Sequence, residues 1–394
     1  MESVNQQLEL TKCKYHVMHY DFKPSGEPQM VIEQHPPTPL TVTNAANQPV
    51  HITHVPSDQA LQYLGCHKCP LNQHKQEQVL TSQCKDFARK VISSHLTRRM
   101  TNMFYSGIYI PSVGYCLPMT YFTKKELEDI QRPAHRAMLS RLGFNRNTAE
   151  EIVFAPRDKG CFELHHLLDG QGFGQASFLL KAWRSRKTLQ GRMIRIGVHW
   201  AQYTSGVGTP ILEVPALKLP HLESRWLEGL RLYLAEVQGL IRLDDPGVPS
   251  LQRHHDQYLM DMVLANPKWK PIEIKRINWC RLYLNVTTLS DLTNAQGDQL
   301  DPGIYYGNLE SIQAKCTWQC VNQKKPDNSS WKIWRKFCKT FTYSVPNNKH
   351  RHKLYHPLGC WIVPEHSMRR QWPRWYDPIQ GLLFRSEERR VGKD

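Results

Sequence analysis

Apolar positions change their period along this chain. Over residues 12–68 they come in short runs. Residues 14–20 predict a strand, Pro24-Ser25-Gly26-Glu27 a turn, and Met30-Val31-Ile32 the returning strand. Residues 33–50 are rich in Pro, Thr and Asn and predict a loop, with two further short strands at 51–55 and 63–66. From Leu71 the period becomes helical. Leu80, Cys84, Phe87, Ala88 and Val91 fall on one face of a helix running to about Ile92. Leu96, Met100, Met103, Phe104 and Ile108 make a second apolar stripe, broken by Pro111 and the Gly114 turn. Thr123 with Glu126 carries the capping-box spacing and opens a third helix. Its inward positions are Leu127, Ile130, Ala134 and Leu142, and Pro133 is expected to kink it.

Further helices are expected at about 176–200, 222–238, 250–265 and 271–290, the last with Pro271 in its first turn. Gly170-x-Gly172-x-Gly174 is expected to be a flexible joint between helices. Residues 296–330 show no period, and 331–376 are basic and dense in tryptophan. No repeat of solenoid type occurs. Residues 386–394 resemble translated sequencing-adapter read-through and are set aside as a non-native tail. The pattern predicts an α+β chain, mostly α, with small antiparallel strand pairs ahead of the helices.

Composition adds a partner. The 394 residues carry a net charge of +16, which points to a polyanion, most simply DNA or RNA. Counting Lys and Arg against Asp and Glu, residues 1–70 sum to −2, 71–190 to +8, 191–300 to +1 and 301–394 to +9. Phosphate contacts are therefore expected in the second and fourth blocks. No run of 18 uncharged apolar residues occurs, and residues 1–10, with Glu2 and Glu9, do not form a signal peptide. The eleven cysteines follow no framework and are expected as reduced thiols in an intracellular protein, nuclear or cytoplasmic.

Phosphoryl transfer by two metal ions needs converging carboxylates. The only adjacent aspartates, Asp244-Asp245, are followed at once by Pro246-Gly247 and predict a surface turn, so no catalytic residue is assigned. Cys66-x2-Cys69-x4-His74 with Cys84 has four metal-ligand types, but the last gap is too long for a zinc knuckle and Cys84 lies on an apolar helix face. Ordinary thiols are expected, and no metal. Cys316, Cys320 and Lys325-Pro326-Asp327 faintly resemble a restriction-like endonuclease, but the required second acid and His/Cys pair are missing. Two sets suit nucleic acid better. Trp331, Trp334, Trp361, Trp372 and Trp375 interleave with Lys332, Arg335, Lys336, Arg369, Arg370 and Arg374, as where bases stack on rings while cations track phosphates. Arg98-Arg99 precede the second helix, while Arg132, Arg136 and Arg141 lie along the third.

The order of several segments resembles non-LTR-type retrotransposon reverse transcriptases. These are Gln62-Tyr63-Leu64-Gly65, a long polar helix, Ser94-His95-Leu96-Thr97, Ile108-Tyr109-Ile110-Pro111-Ser112-Val113-Gly114-Tyr115, Arg141-Leu142-Gly143-Phe144-Asn145 and Val153-Phe154-Ala155-Pro156. The stretch Leu230-Arg231 through Arg276-Ile277-Asn278 to Arg281-Leu282-Tyr283-Leu284 continues it, so the resemblance spans roughly 8–380. It implies a palm remnant at 1–70, with Tyr63, Leu64 and Gly65 as the primer grip and Lys12 near the incoming triphosphate. It implies a helical thumb at 71–190 that clamps a template–primer duplex of RNA and DNA. A helical connector at 191–300 and a basic Trp-rich region at 301–385 would follow. The catalytic aspartates, with their Mg²⁺, would lie upstream. The expected function is therefore that of a truncated RNA-directed DNA polymerase that binds nucleic acid without polymerising. The alternative is a stand-alone basic nucleic-acid-binding protein.

Overall fold

In a computed structural model of the protein, the described residues are 12–22, 28–36, 38–44, 47–63, 65–145, 147–308, 325–346, 348–362, 374–377 and 382–385. The fold is mostly helical, with small two-stranded sheets. The chain divides into two compact units. The first comprises Met1–Asp21, Pro28–Arg186 and Arg225–Val237, and the second Phe22–Glu27, Lys187–Ser224 and Gln238–Asp394.

The first unit begins with short strands: β1 (Lys14–Tyr15), β2 (His19–Phe22), β3 (Pro28–Val31), β4 (Thr41–Thr43), β5 (Pro49–His51), β6 (Thr53–His54), β7 (Leu61–Tyr63) and β8 (Cys66–Lys68). The pair β1–β6 is parallel, whereas β4–β5 and β7–β8 are antiparallel. The turn expected at 24–27 lies outside the described residues. Residues 63–66 are a hairpin tip rather than one strand. Tyr63 pairs with Cys66 across a two-residue loop, and Gly65 takes a φ of 81° that side chains disfavour. Leu64 lies outside the described residues.

Helix α1 (His74–Ser93) buries Leu80, Cys84, Phe87, Ala88 and Val91, the face its periodicity predicts. Its partner is α4 (Lys124–Arg141), which runs unbroken through Pro133. The Thr123–Glu126 capping box forms: Thr123 N–H donates to the Glu126 carboxylate at 2.8 Å, and Glu126 N–H to the Thr123 hydroxyl at 3.3 Å.

Between them lie α2 (Arg98–Phe104), a π-helical turn over Tyr105–Tyr109, and α3 (Ile110–Gly114). This stretch buries Thr101, Tyr105, Tyr109 and Val113, whereas Met100, Met103 and Ile108 are exposed. Of the predicted stripe, Leu96 is half-buried and Phe104 packs on the core, while the other three positions face outward. Within the π turn the wider repeat carries Ile108 off the 3.6-residue stripe. Phe87 stacks against Phe104 and Tyr109 at 5.2 and 4.4 Å, and the Tyr105 hydroxyl accepts from His165 N–H at 3.0 Å. Pro111, which has no N–H to give, follows the π turn inside the continuing helix.

After α5 (Glu150–Phe154) come α6 (Leu167–Arg184) and, within this unit, α8 (Arg225–Glu236). The glycine run lies inside α6 and is no joint. A Cβ on Gly172 would overlap the Tyr233 ring of α8, and one on Gly174 would sit 2.6 Å from Pro118 Cγ. These glycines set how closely the neighbours approach. Glutamines fasten the irregular 120–123 connector. Gln171 accepts from the Thr120 hydroxyl and Phe122 N–H and donates to Phe122 C=O at 2.8, 3.0 and 2.9 Å. Gln175 donates to Thr120 C=O and Gln73 accepts from Tyr121 N–H.

The second unit holds α7 (Leu189–Ser205), α9 (Leu259–Leu264), α10 (Pro271–Leu284), α11 (Pro302–Tyr306) and α12 (Asn328–Cys338). The helix expected at 176–200 is thus two, separated at Ser185–Thr188, where the Thr188 hydroxyl caps α7. The helix expected at 250–265 shrinks to α9, and that at 271–290 ends at Asn285 with a φ of 54°. α10 is central and packs against α12, α7 and α9. Its Arg281 is fully buried, donating to Tyr203 and Thr204 C=O at 2.8 and 3.0 Å and so capping the C-terminus of α7. Burial lowers its guanidinium to about 10, still charged at neutral pH. The antiparallel pairs β9 (Thr342–Val345) with β10 (Asn348–Leu354) and β11 (Arg374–Asp377) with β12 (Leu382–Arg385) follow.

Candidate nucleic-acid interface

The arginines of the first unit divide by the work they already do. Arg141 spends its guanidinium on the C-terminal carbonyls of α1, donating to Val91 and Ser94 C=O at 3.0 and 2.8 Å and also to Ile92. Arg98 donates to Leu142 C=O and lies 5.3 Å from the Phe144 ring centroid. Arg99, Arg132 and Arg136 are exposed, and Arg132 holds Asp129 one turn earlier at 2.6 Å.

Arg99, Asn102 and Met103 of α2 and Ser106 of the π turn stand at i, i+3, i+4 and i+7. They line an open cleft of about 520 Å³ whose other walls include Arg98, Glu163 and His165. Polar reach, an apolar thioether and cations meet there. The hairpin tip is separately outward, with Tyr63 70% exposed, and Lys12 is exposed near the start of the described residues.

The tryptophan-dense region behaves otherwise. Trp331 and Trp334 are core side chains of α12. Trp334 N–H donates to Ile304 C=O at 3.2 Å, and Trp331 packs edge-on to Tyr283 at 6.0 Å. Neither ring offers a face on which a base can stack. Trp361 is covered by Arg253, whose guanidinium lies 4.0 Å from its ring centroid. Arg335 is half-buried. Lys336 is exposed, holding Glu273 at 3.2 Å and lying 4.6 Å from the Trp269 ring. Arg369, Arg370 and Trp372 lie outside the described residues, as do Cys316, Cys320 and 386–394.

The cysteines disperse. Cys84 shares a hydrogen bond with the Tyr109 hydroxyl at 3.4 Å, and burial pushes its thiol up to about 11. Cys69 donates to Ser57 C=O, and His74 faces Glu77. Cys66 lies against Cys116, whose buried thiol is pushed up to about 12. Among the described residues no three His, Cys, Asp or Glu side chains are grouped to hold a metal ion. Asp244 and Asp245 sit on an irregular surface segment, near Arg195 at 3.7 Å and His199 at 3.9 Å. Asp327 caps α12, accepting from Ser330 N–H at 2.7 Å.

One buried pair escaped the sequence reading. His135 of α4 and His166 flank Phe154, at 5.2 and 4.8 Å between ring centroids, and the His135 Nε2 is buried without a hydrogen-bond partner. Burial, reinforced by His166, pushes His135 down to about 3. Among the described residues no helix is long and apolar enough to cross a membrane. No family model, no curated protein and no solved structure matches the chain.

Proposed function

We propose that this chain is the nucleic-acid-gripping part of a retrotransposon reverse transcriptase, holding a template–primer duplex of RNA and DNA without polymerising. The cleft on α2 carries the proposal. A face of Arg99, Asn102, Met103 and Ser106 supplies a phosphate-binding cation, groove-reaching polar groups and an apolar contact on one helical stripe. Arg136 and Arg132 on α4 add charge in the same unit. The net charge of +16 supports a polyanionic partner, and the order of motifs supports the class. In an intact enzyme of this class Mg²⁺ supplies the phosphoryl-transfer chemistry. Here Asp244 and Asp245 face Arg195 and His199, so no polymerising role is given to them.

The test is binding of the full chain to a labelled RNA–DNA hybrid and to matching single strands. The hybrid should bind more tightly, and affinity should fall by at least about tenfold between 50 and 200 mM salt. Arg99→Ala with Arg136→Ala should weaken binding and reduce the salt slope by about 2. Equal affinity for single strands favours a stand-alone basic binding protein, while salt-insensitive binding removes the electrostatic basis of both. Extension of a primed RNA by this chain with Mg²⁺ and deoxynucleotides overturns the non-polymerising half.

A further inference from the structure

Helix α7 presents an apolar seam to solvent. Leu189, Met193, Ile196 and Trp200 are 68%, 62%, 65% and 41% exposed, at steps of four, three and four. The opposite face buries Gly191, Val198, Ala201, Gln202 and Ser205, so among the described residues the helix is held by one side and exposed on the other. Steps of three and four are the spacing of a coiled-coil seam. Met193, Ile196, Gly197 and Trp200 further stand at i, i+3, i+4 and i+7, the four corners of a hole that receives one side chain of a facing helix. Gly197 keeps that hole open, since nothing lies within 4 Å of where its Cβ would be.

The charge around the seam selects the occupant. α7 contains no acidic residue; Arg192 is exposed beside the seam and Lys187 just before the helix. On the same flank Arg195 and His199 already face Asp244 and Asp245. An antiparallel second α7 would set Arg192 against a flank whose two carboxylates are already engaged by Arg195 and His199, and a nucleic acid has no use for an aliphatic seam. We propose that the exposed face of α7 docks an amphipathic helix of another protein, with an apolar heptad seam and acidic flanking positions.

The probe is a labelled synthetic helix with Leu and Ile at its seam and Glu at both flanks, titrated against the full chain by fluorescence anisotropy. Its twin carries Lys at the flanks. The Glu peptide should bind, with the Lys peptide at least about tenfold weaker. Ile196→Asp should weaken the Glu peptide by at least about tenfold, at unchanged circular dichroism. Gly197→Leu fills the hole in open space, so it should weaken docking while leaving thermal stability equal or higher. Equal binding of both peptides, no binding of either, or unaltered binding by Gly197→Leu overturns the proposal. A dimer of the chain that Ile196→Asp dissolves makes a second copy the occupant and overturns it as well.

Discussion

Acidification should loosen the first unit through His135. This side chain is buried in α4 beside His166, and its imidazole is held neutral down to about pH 3. In the unfolded chain it titrates near 6.5. Between those two values the unfolded state takes up a proton that the folded state refuses, so stability is present above pH 6.5 and falls as pH drops. At 1.36 kcal/mol per pH unit, the loss between pH 7.5 and pH 5 is about 2 kcal/mol from this group alone. The assay is hydrogen exchange, followed by mass spectrometry on peptides of α4, for the natural chain and for His135→Gln at pH 7.5, 6 and 5, corrected for intrinsic exchange rates. The variant loses ring packing on Phe154 and starts less stable. Its deficit should shrink by about 2 kcal/mol by pH 5, because it has no imidazole to protonate. Parallel pH profiles for the two proteins would refute the argument, placing the acid sensitivity elsewhere.

Three more outcomes follow from packing. Gly172→Ala should destabilise the first unit by about 1–3 kcal/mol in denaturant titration, because its methyl meets the Tyr233 ring; a flexible joint would instead gain about 1 kcal/mol. Trp334→Ala should cost about 3–5 kcal/mol in unfolding experiments yet leave hybrid affinity unchanged where the chain is folded, since its ring is enclosed in the core. Arg281→Met should cost about 3 kcal/mol and speed hydrogen exchange at the end of α7, whose Tyr203 and Thr204 carbonyls lose their donor.

Where local chemistry decides, the sequence was legible. The inward face of α1, the Thr123–Glu126 box and the Pro271 start each follow from rules acting within one or two turns. The surface-turn reading of Asp244-Asp245 also rests on its neighbours, Pro246 and Gly247. Long-range contacts decided the rest. Tyr105 and Tyr109 turn inward because Phe87 and His165 await them, and no window of α2 contains those partners. The glycines of α6 look like a hinge until Tyr233, about sixty residues later, is set against them. Tryptophans among lysines look like a stacking platform in one dimension. In α12, Trp331 and Trp334 share the face of Phe337 and Cys338, and that face is the core. Nothing local marks His135 as special; burial by distant chain, with His166 beside it, is what pushes its imidazole down.

The glutamine fastening of residues 120–123 has a consequence for any ligand that neutralises arginines. Amide clasps carry no charge and release no proton, so neither ionic strength nor a polyanion's field acts on them directly. The connector leads directly into the arginine-bearing helix α4, and it should keep its geometry while charges around it are compensated. Such a hinge-free corner favours encounter with a ready-made surface: little reorganisation to complete, fast capture, and discrimination left to the rate of escape.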